Sequence, residues 1–245
     1  MDDRPDVKNL RLATVGAACA LGMVACFVVG IVMMVSSGVQ LLIPEPGVDT
    51  VDWIADVDSA GSVFLFGAWL TIAGGFLGIV AFVGFYDALR QAGPMLVLGP
   101  VLGAVGLTLV TISHLVPIAM ATELVPDYLA SDTAGKASLL SNLDLLARVS
   151  SDLNIAGNVL NWGVVVPLYG YAILRTGASA RWIGWLGVFV GVCAGWLGLL
   201  SYTWGAFEAI SFFGFVGFFV FMASMGVSLL RRSRADIPAA VTAGG

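Results

Sequence analysis

The sequence predicts an all-α integral membrane protein: a six-transmembrane-helix bundle with both termini cytoplasmic and two long external loops carrying short amphipathic helices. Three observations predict it. Hydrophobic residues make up 59% of the 245 and charged residues 11%, with a mean hydropathy of +0.96, whereas soluble domains are roughly a quarter charged. Six apolar runs are each long enough to cross a bilayer, which takes about 20 residues. The basic residues fall on alternate connections between those runs, as the cytoplasmic preference of Lys and Arg requires.

The runs are 12–34, 61–86, 94–121, 153–174, 182–202 and 206–230, together one transmembrane domain from 12 to 230. Backbone polar groups in lipid must be satisfied within their own segment, and the runs are too long for barrel strands, which leaves a helical bundle. The first run exceeds the apolar core of a secretory signal, roughly 7 to 15 residues, and is expected to stay as a helix. Residues 1–11 form a cytoplasmic segment ahead of it. The tail 231–245, "RRSRADIPAAVTAGG", reads as a basic anchor followed by a disordered end.

Orientation follows from charge. Arg4, Lys8, Arg11, Arg90, Arg175, Arg181, Arg231, Arg232 and Arg234, nine of the eleven basic residues, share one side, which is the cytoplasmic one. The other side carries only Lys136 and Arg148 against eleven acids: Glu45, Asp49, Asp52, Asp56, Asp58, Glu123, Asp127, Asp132, Asp144, Asp152 and Glu208. The cytoplasmic membrane is therefore the expected location, with the lipid bilayer as solvent and no nucleic-acid partner.

Both long loops are external. In "IPEPGVDTVDWIADVDSAG", Val51, Ile54 and Val57 recur at three-residue spacing beside Trp53, which suits a short helix at the membrane surface. In "DTAGKASLLSNLDLLARVSSDLN", Leu139, Leu143 and Leu146 share a face, and Asp144 and Arg148 are placed to pair at i, i+4. Each segment reads either as a cap over the outer mouth of the bundle or as a plain connection.

Glycine is the packing device. Gly184, Gly187, Gly191, Gly195 and Gly198 form a ridge down the fifth helix, and small residues four apart let membrane helices approach closely. That helix is expected at the centre of the bundle or at a dimer contact. Cys19, Cys26 and Cys193 all lie in apolar runs and read as small packing residues.

Several chemical signatures fail. "TAGKAS" is similar to a phosphate loop, but Ala137 stands where a metal-binding hydroxyl belongs and Ala130 replaces the first glycine. "GASA" lacks the final glycine of an intramembrane serine protease box. The single histidine cannot supply two haem ligands, no HExxH pattern exists, and Asp127 and Asp132 do not form a DDxxD cluster. No cofactor and no metal are expected.

What survives is polar placement. Ser151, Asn154, Asn158, Asn161 and Tyr169 project within about 80° of one another when each residue turns 100°. Such a stripe faces protein, as interhelical hydrogen-bonding glue, or lines a wet cavity. His114 lies about 30 Å along its helix from the cytoplasmic end at Pro94, towards the outer interface, where the asparagines of the oppositely directed helix begin. Pro117 removes the backbone bond to the Ser113 carbonyl and bends the axis there. Glu123, nine residues on, falls on the opposite face and is a poor partner for His114. Thr111 can reach it, and across helices Asn158 or Asn161 is the better candidate. Glu208 opens the last helix, where a carboxylate caps the N-terminus or faces a cavity. Asp87 and Arg90 read as an i, i+3 surface pair.

The span ending in "FYDALR", the stretch "SHLVPIAMA" with its long external loop, then "LLARVSSDLNIAGNVLNWGVVVPLYGYAILRTG" and "RWIGWLGVFVGVCAGWLGLL" follow in an order that resembles a bacterial membrane family, domain of unknown function 4386. The resemblance implies a helical integral membrane protein of the bacterial inner membrane and carries no catalytic residue across. Three functions stand open. The first is a non-enzymatic protein that binds a small apolar or amphiphilic ligand, such as a lipid, in an outward-opening pocket lined by Thr111, His114, Asn154, Asn158 and Asn161, with Glu208 near its mouth. The second is an enzyme on a lipophilic substrate with His114 as acid or base. The third is a subunit that docks a partner or a second copy through Gly187, Gly191 and Gly195.

Overall fold

The computed structural model describes residues 7–39, 42–43, 50–202 and 204–242, with side chains from residue 12 to residue 233. Arg4, Glu45 and Asp49 of the charge map lie outside the described residues, as do the side chains of Lys8, Arg11 and Arg234. Every described element is helical. In chain order they are α1 (Val7–Ser36), α2 (Thr50–Leu89), α3 (Leu98–Ala119), α4 (Val125–Ala130), α5 (Thr133–Asn158), α6 (Val166–Thr176), α7 (Arg181–Val190), α8 (Gly198–Ser201) and α9 (Glu208–Thr242). Three π-helical segments, Met120–Leu124, Val159–Val165 and Gly191–Leu197, join α3 to α4, α5 to α6 and α7 to α8.

Among the described residues, five stretches are long and apolar enough to cross a membrane: Leu12–Ser36, Thr50–Ala92, Pro94–Ala130, Arg181–Ser201 and Gly205–Ser233. The predicted run 153–174 is helical throughout but is diluted by Asn154, Asn158, Asn161, Tyr169 and Tyr171, and does not join them. Outward-facing residues on these stretches are what lipid requires: Val28, Val32, Phe66, Phe76, Val101 and Phe189 are all exposed. A protein in water would bury them.

Two of the π turns have a local cause. Pro126 and Pro167 each follow one, and a proline ring clashes with the carbonyl four residues back. Widening the turn relieves the clash while Val125 N–H bonds Met120 O and Val166 N–H bonds Asn161 O, so the helices continue instead of breaking. The last helix likewise runs on through the basic stretch to Thr242 and does not stop at Leu230.

The chain forms two compact units. The first, Met1–Val24, Leu77–Leu107 and Asn158–Gly245, is held by glycine contacts. A methyl group on Gly16 would lie 2.5 Å from Gly84 Cα, so α1 and α2 touch backbone to backbone. Antiparallel pairing of α6 with α7 is closer still: Gly195 meets Gly163, Gly191 meets Pro167, Gly187 meets Gly170 and Gly184 meets Leu174. The turn between them begins at Gly177, which takes the left-handed φ of 64° that closes α6. Tyr169 is fully buried against Phe82 and Phe85, and its hydroxyl donates to Phe82 O at 2.6 Å. Asp87 and Arg90 form the expected pair at 3.9 Å.

The second unit, Ala25–Phe76 and Thr108–Gly157, has its own apolar core. Trp53, Ile54, Val57, Phe64, Met120, Val125 and Leu143 are buried in it. The helix predicted at 51–57 exists as the start of α2, but Trp53, Ile54 and Val57 face protein instead of the membrane surface, and Val51 is exposed. The second amphipathic segment is the beginning of α5, continuous with the polar stripe and not a separate cap. Leu143 is buried there, while Asp144 accepts a hydrogen bond from Thr50 Oγ1 and forms no ion pair with Arg148 among the described residues.

A polar clasp around the single histidine

The second unit holds the chain's one histidine in a set of hydrogen bonds. His114, 7% exposed on α3, reaches Thr71 of α2 through Nδ1 at 3.0 Å and Asn154 of α5 through Nε2 at 3.3 Å. Phe27 of α1 presents an edge-to-face contact to the ring, centroids 6.3 Å apart. Four helices therefore meet at one imidazole.

Proton positions follow from the rest of the network. Thr71 Oγ1 donates to Ala68 O at 2.7 Å, so its proton is engaged and its lone pair accepts from His114 Nδ1–H. That leaves Nε2 as an acceptor, suited to the Asn154 amide N–H. The second amide proton of Asn154 goes to Ser113 Oγ at 3.1 Å, and Ser113 Oγ donates to Val110 O at 2.7 Å. The Nδ1–H tautomer of a neutral ring satisfies every member. Because the chain has one histidine, selective ¹⁵N-histidine labelling yields a single pair of ring signals. We expect the proton-bearing signal to come from Nδ1; protonation at Nε2 alone would overturn the assignment.

The proline on α3 has the predicted consequence and a partner that was not predicted. Pro117 has no N–H for the Ser113 carbonyl, and Ser150 Oγ of α5 donates to that carbonyl at 2.6 Å. Ser150→Ala should cost about 1–3 kcal/mol, the penalty of leaving a buried acceptor unpaired. In a Pro117→Ala background the restored helix bond should reduce that cost to a few tenths. Thermal unfolding of the four variants in one detergent measures the coupling, and additive effects would contradict it.

Of the six residues proposed as a pocket, Thr111, His114 and Asn154 belong to the second unit and Asn158, Asn161 and Glu208 to the first. Asn154 bonds to His114. Asn158 is half-buried. Asn161 is 1% exposed, and among the described residues neither atom of its amide has a hydrogen-bond partner. The π segment that begins at Val159 turns less per residue than an α-helix and so shifts the phase of Asn161 from the uniform 100° count. Thr111 is buried at 4% exposure, and among the described residues its hydroxyl also lacks a hydrogen-bond partner. Glu208 is exposed in the first turn of α9, the placement that suits its charge to the helix N-terminus. Thr71, Ser150 and the side chain of Ser113 were not singled out in the sequence.

His114 and its partners include no carboxylate or thiol, and among the described residues no group of His, Cys, Asp or Glu could hold a metal ion. The fold and this clasp define a helical membrane-embedded protein whose single histidine is tied into the packing between helices. The family described as Domain of unknown function (DUF4386) matches residues 14–232, and the chain belongs to it. No curated protein and no solved structure matches.

Proposed function

We propose that the protein is a non-enzymatic, six-span protein of the cytoplasmic membrane, with both termini inside, that holds a small amphiphilic molecule through the Asn161 amide. The observation that carries this reading is the amide itself. A buried, unpaired amide costs roughly 2–7 kcal/mol in an apolar setting, and a ligand with a donor and an acceptor side by side, such as a carboxylic acid or an amide headgroup, removes that cost. The sixth span is supported by the register of α6 on α7: residues 163–174 follow a candidate span from Gly195 back to Gly184 at backbone contact. An even number of spans then agrees with the basic residues at both ends of the chain.

Neither alternative gains support. An enzyme using His114 needs a free ring nitrogen, and both are engaged by Thr71 and Asn154. A subunit docking through Gly187, Gly191 and Gly195 needs an open ridge, and α6 and the segment before it fill that ridge.

The test is organic extraction of the protein purified in mild detergent from native membranes, followed by mass spectrometry. A near-stoichiometric small molecule that is present in the parent and lost in Asn161→Leu is the expected result. Parent protein free of any such molecule would overturn the proposal.

A further inference from the structure

The outer portion of α2 is set apart from the rest of that helix. Gly61 is the one non-helical residue inside Thr50–Leu89, with φ 51° and ψ −129°, a combination an L side chain rarely adopts. Before it, residues 50–60 fold back over the core of the second unit. Trp53 sits edge-to-face on Phe64, ring centroids 6.1 Å apart, and Ile54 and Val57 are buried with Val125 and Leu143. Asp52, Asp56 and Asp58 point away and are exposed. At its far end the segment is tied to α5 by the hydrogen bond from Thr50 Oγ1 to the exposed carboxylate of Asp144. Phe64, Ala68 and Thr71 follow on one face of α2 below it, so about 10 Å of helix leads from under the segment to the His114 clasp.

We infer that residues 50–60 are a hinged cap, with Gly61 as the hinge and the Thr50–Asp144 bond as its latch, and that release of the latch opens the apolar column above His114 to solvent. The pieces have the required character. A glycine at positive φ concentrates the bend at one residue. The latch is a side-chain tie to a carboxylate that water reaches, so a competing cation or donor can take Asp144 from Thr50. The apolar face of the cap makes the closed form the ground state. This inference does not depend on the Asn161 ligand, because it concerns a different unit and a different readout.

The experiment uses the full chain in mild detergent, with Cys19, Cys26 and Cys193 replaced by Ala and a single thiol introduced by Ile54→Cys. Labelling with a charged maleimide is followed with time. With Asp144 intact the thiol should react slowly. Asp144→Ala and Thr50→Val should each speed labelling at least tenfold, and Asp144→Asn, whose amide oxygen still accepts, should stay near the parent rate. A second thiol, Ala172→Cys, buried in the first unit, should remain slow throughout and thereby distinguishes opening of the cap from unfolding. Equal rates at position 54 with and without the carboxylate, or a matching rise at position 172, would overturn the inference.

Discussion

Gly195→Val should leave no folded protein in mild detergent, whereas Gly163→Ala, on the opposite side of the same contact, should be tolerated. The two glycines face each other across the pair formed by α6, α7 and their π segments, yet the space beside them is unequal. A Cβ on Gly195 would run into Gly163 Cα and N and lie 3.0 Å from the Trp162 carbonyl carbon, all backbone atoms with nowhere to move. A Cβ on Gly163 would find Gly195 Cα at 3.5 Å, an ordinary contact. Overpacking of a tight core costs about 1–3 kcal/mol, and more where the obstacle is main chain. Size-exclusion profiles and thermal midpoints of the two variants measure this. A monodisperse Gly195→Val protein with the parent's midpoint would show that the helices are further apart than described.

Asn161→Leu should stabilise the protein once bound lipid has been stripped from it. The amide is buried with neither atom paired among the described residues, and an apolar residue of the same branching removes that penalty, a gain of about 1–3 kcal/mol by the usual cost of an unsatisfied buried group. In protein that retains its native lipids the order should reverse, because the parent then gains the ligand's hydrogen bonds and the variant does not. Thermal midpoints of both proteins before and after delipidation give the four values needed. If Asn161→Leu is the less stable protein in the stripped state, the amide has a partner within the protein.

Five spans were legible because lipid demands long uninterrupted apolar runs, and three of them start close to the expected 94, 182 and 206 for that reason. The freed carbonyl at Ser113 was legible too, since Pro117 fixes which acceptor loses its bond. What answers that carbonyl was not, because Ser150 and Ser151 are equally polar and only the phase between two helices chooses one. The asparagine stripe rests on a uniform turn of 100° per residue, and that count does not hold beyond Val159, where the π segment turns less per residue and shifts the phase of Asn161. Thr71 was hidden in another way: a lone threonine in an apolar helix normally bonds its own backbone, and Thr71 does so with Ala68 while also receiving His114. The segment at 51–57 misled for want of depth information. Its three-residue spacing gave a helix with one apolar face, and the same face serves a lipid surface or a protein core equally well.

The hairpin of α6 and α7 bears on how copies of this chain can associate. Its two arms are neighbours in sequence, joined across residues 177–180 by a turn that starts at Gly177. A second molecule can therefore occupy the ridge of Gly184, Gly187, Gly191 and Gly195 only by displacing the arm already there, which means opening the turn and exchanging arms reciprocally between chains. Any dimer built on this ridge is a domain swap, with a slow conversion from the monomer set by hairpin opening, and association without exchange has to use other surfaces, among them the lipid-facing side of α7 marked by Trp182, Trp185 and Phe189.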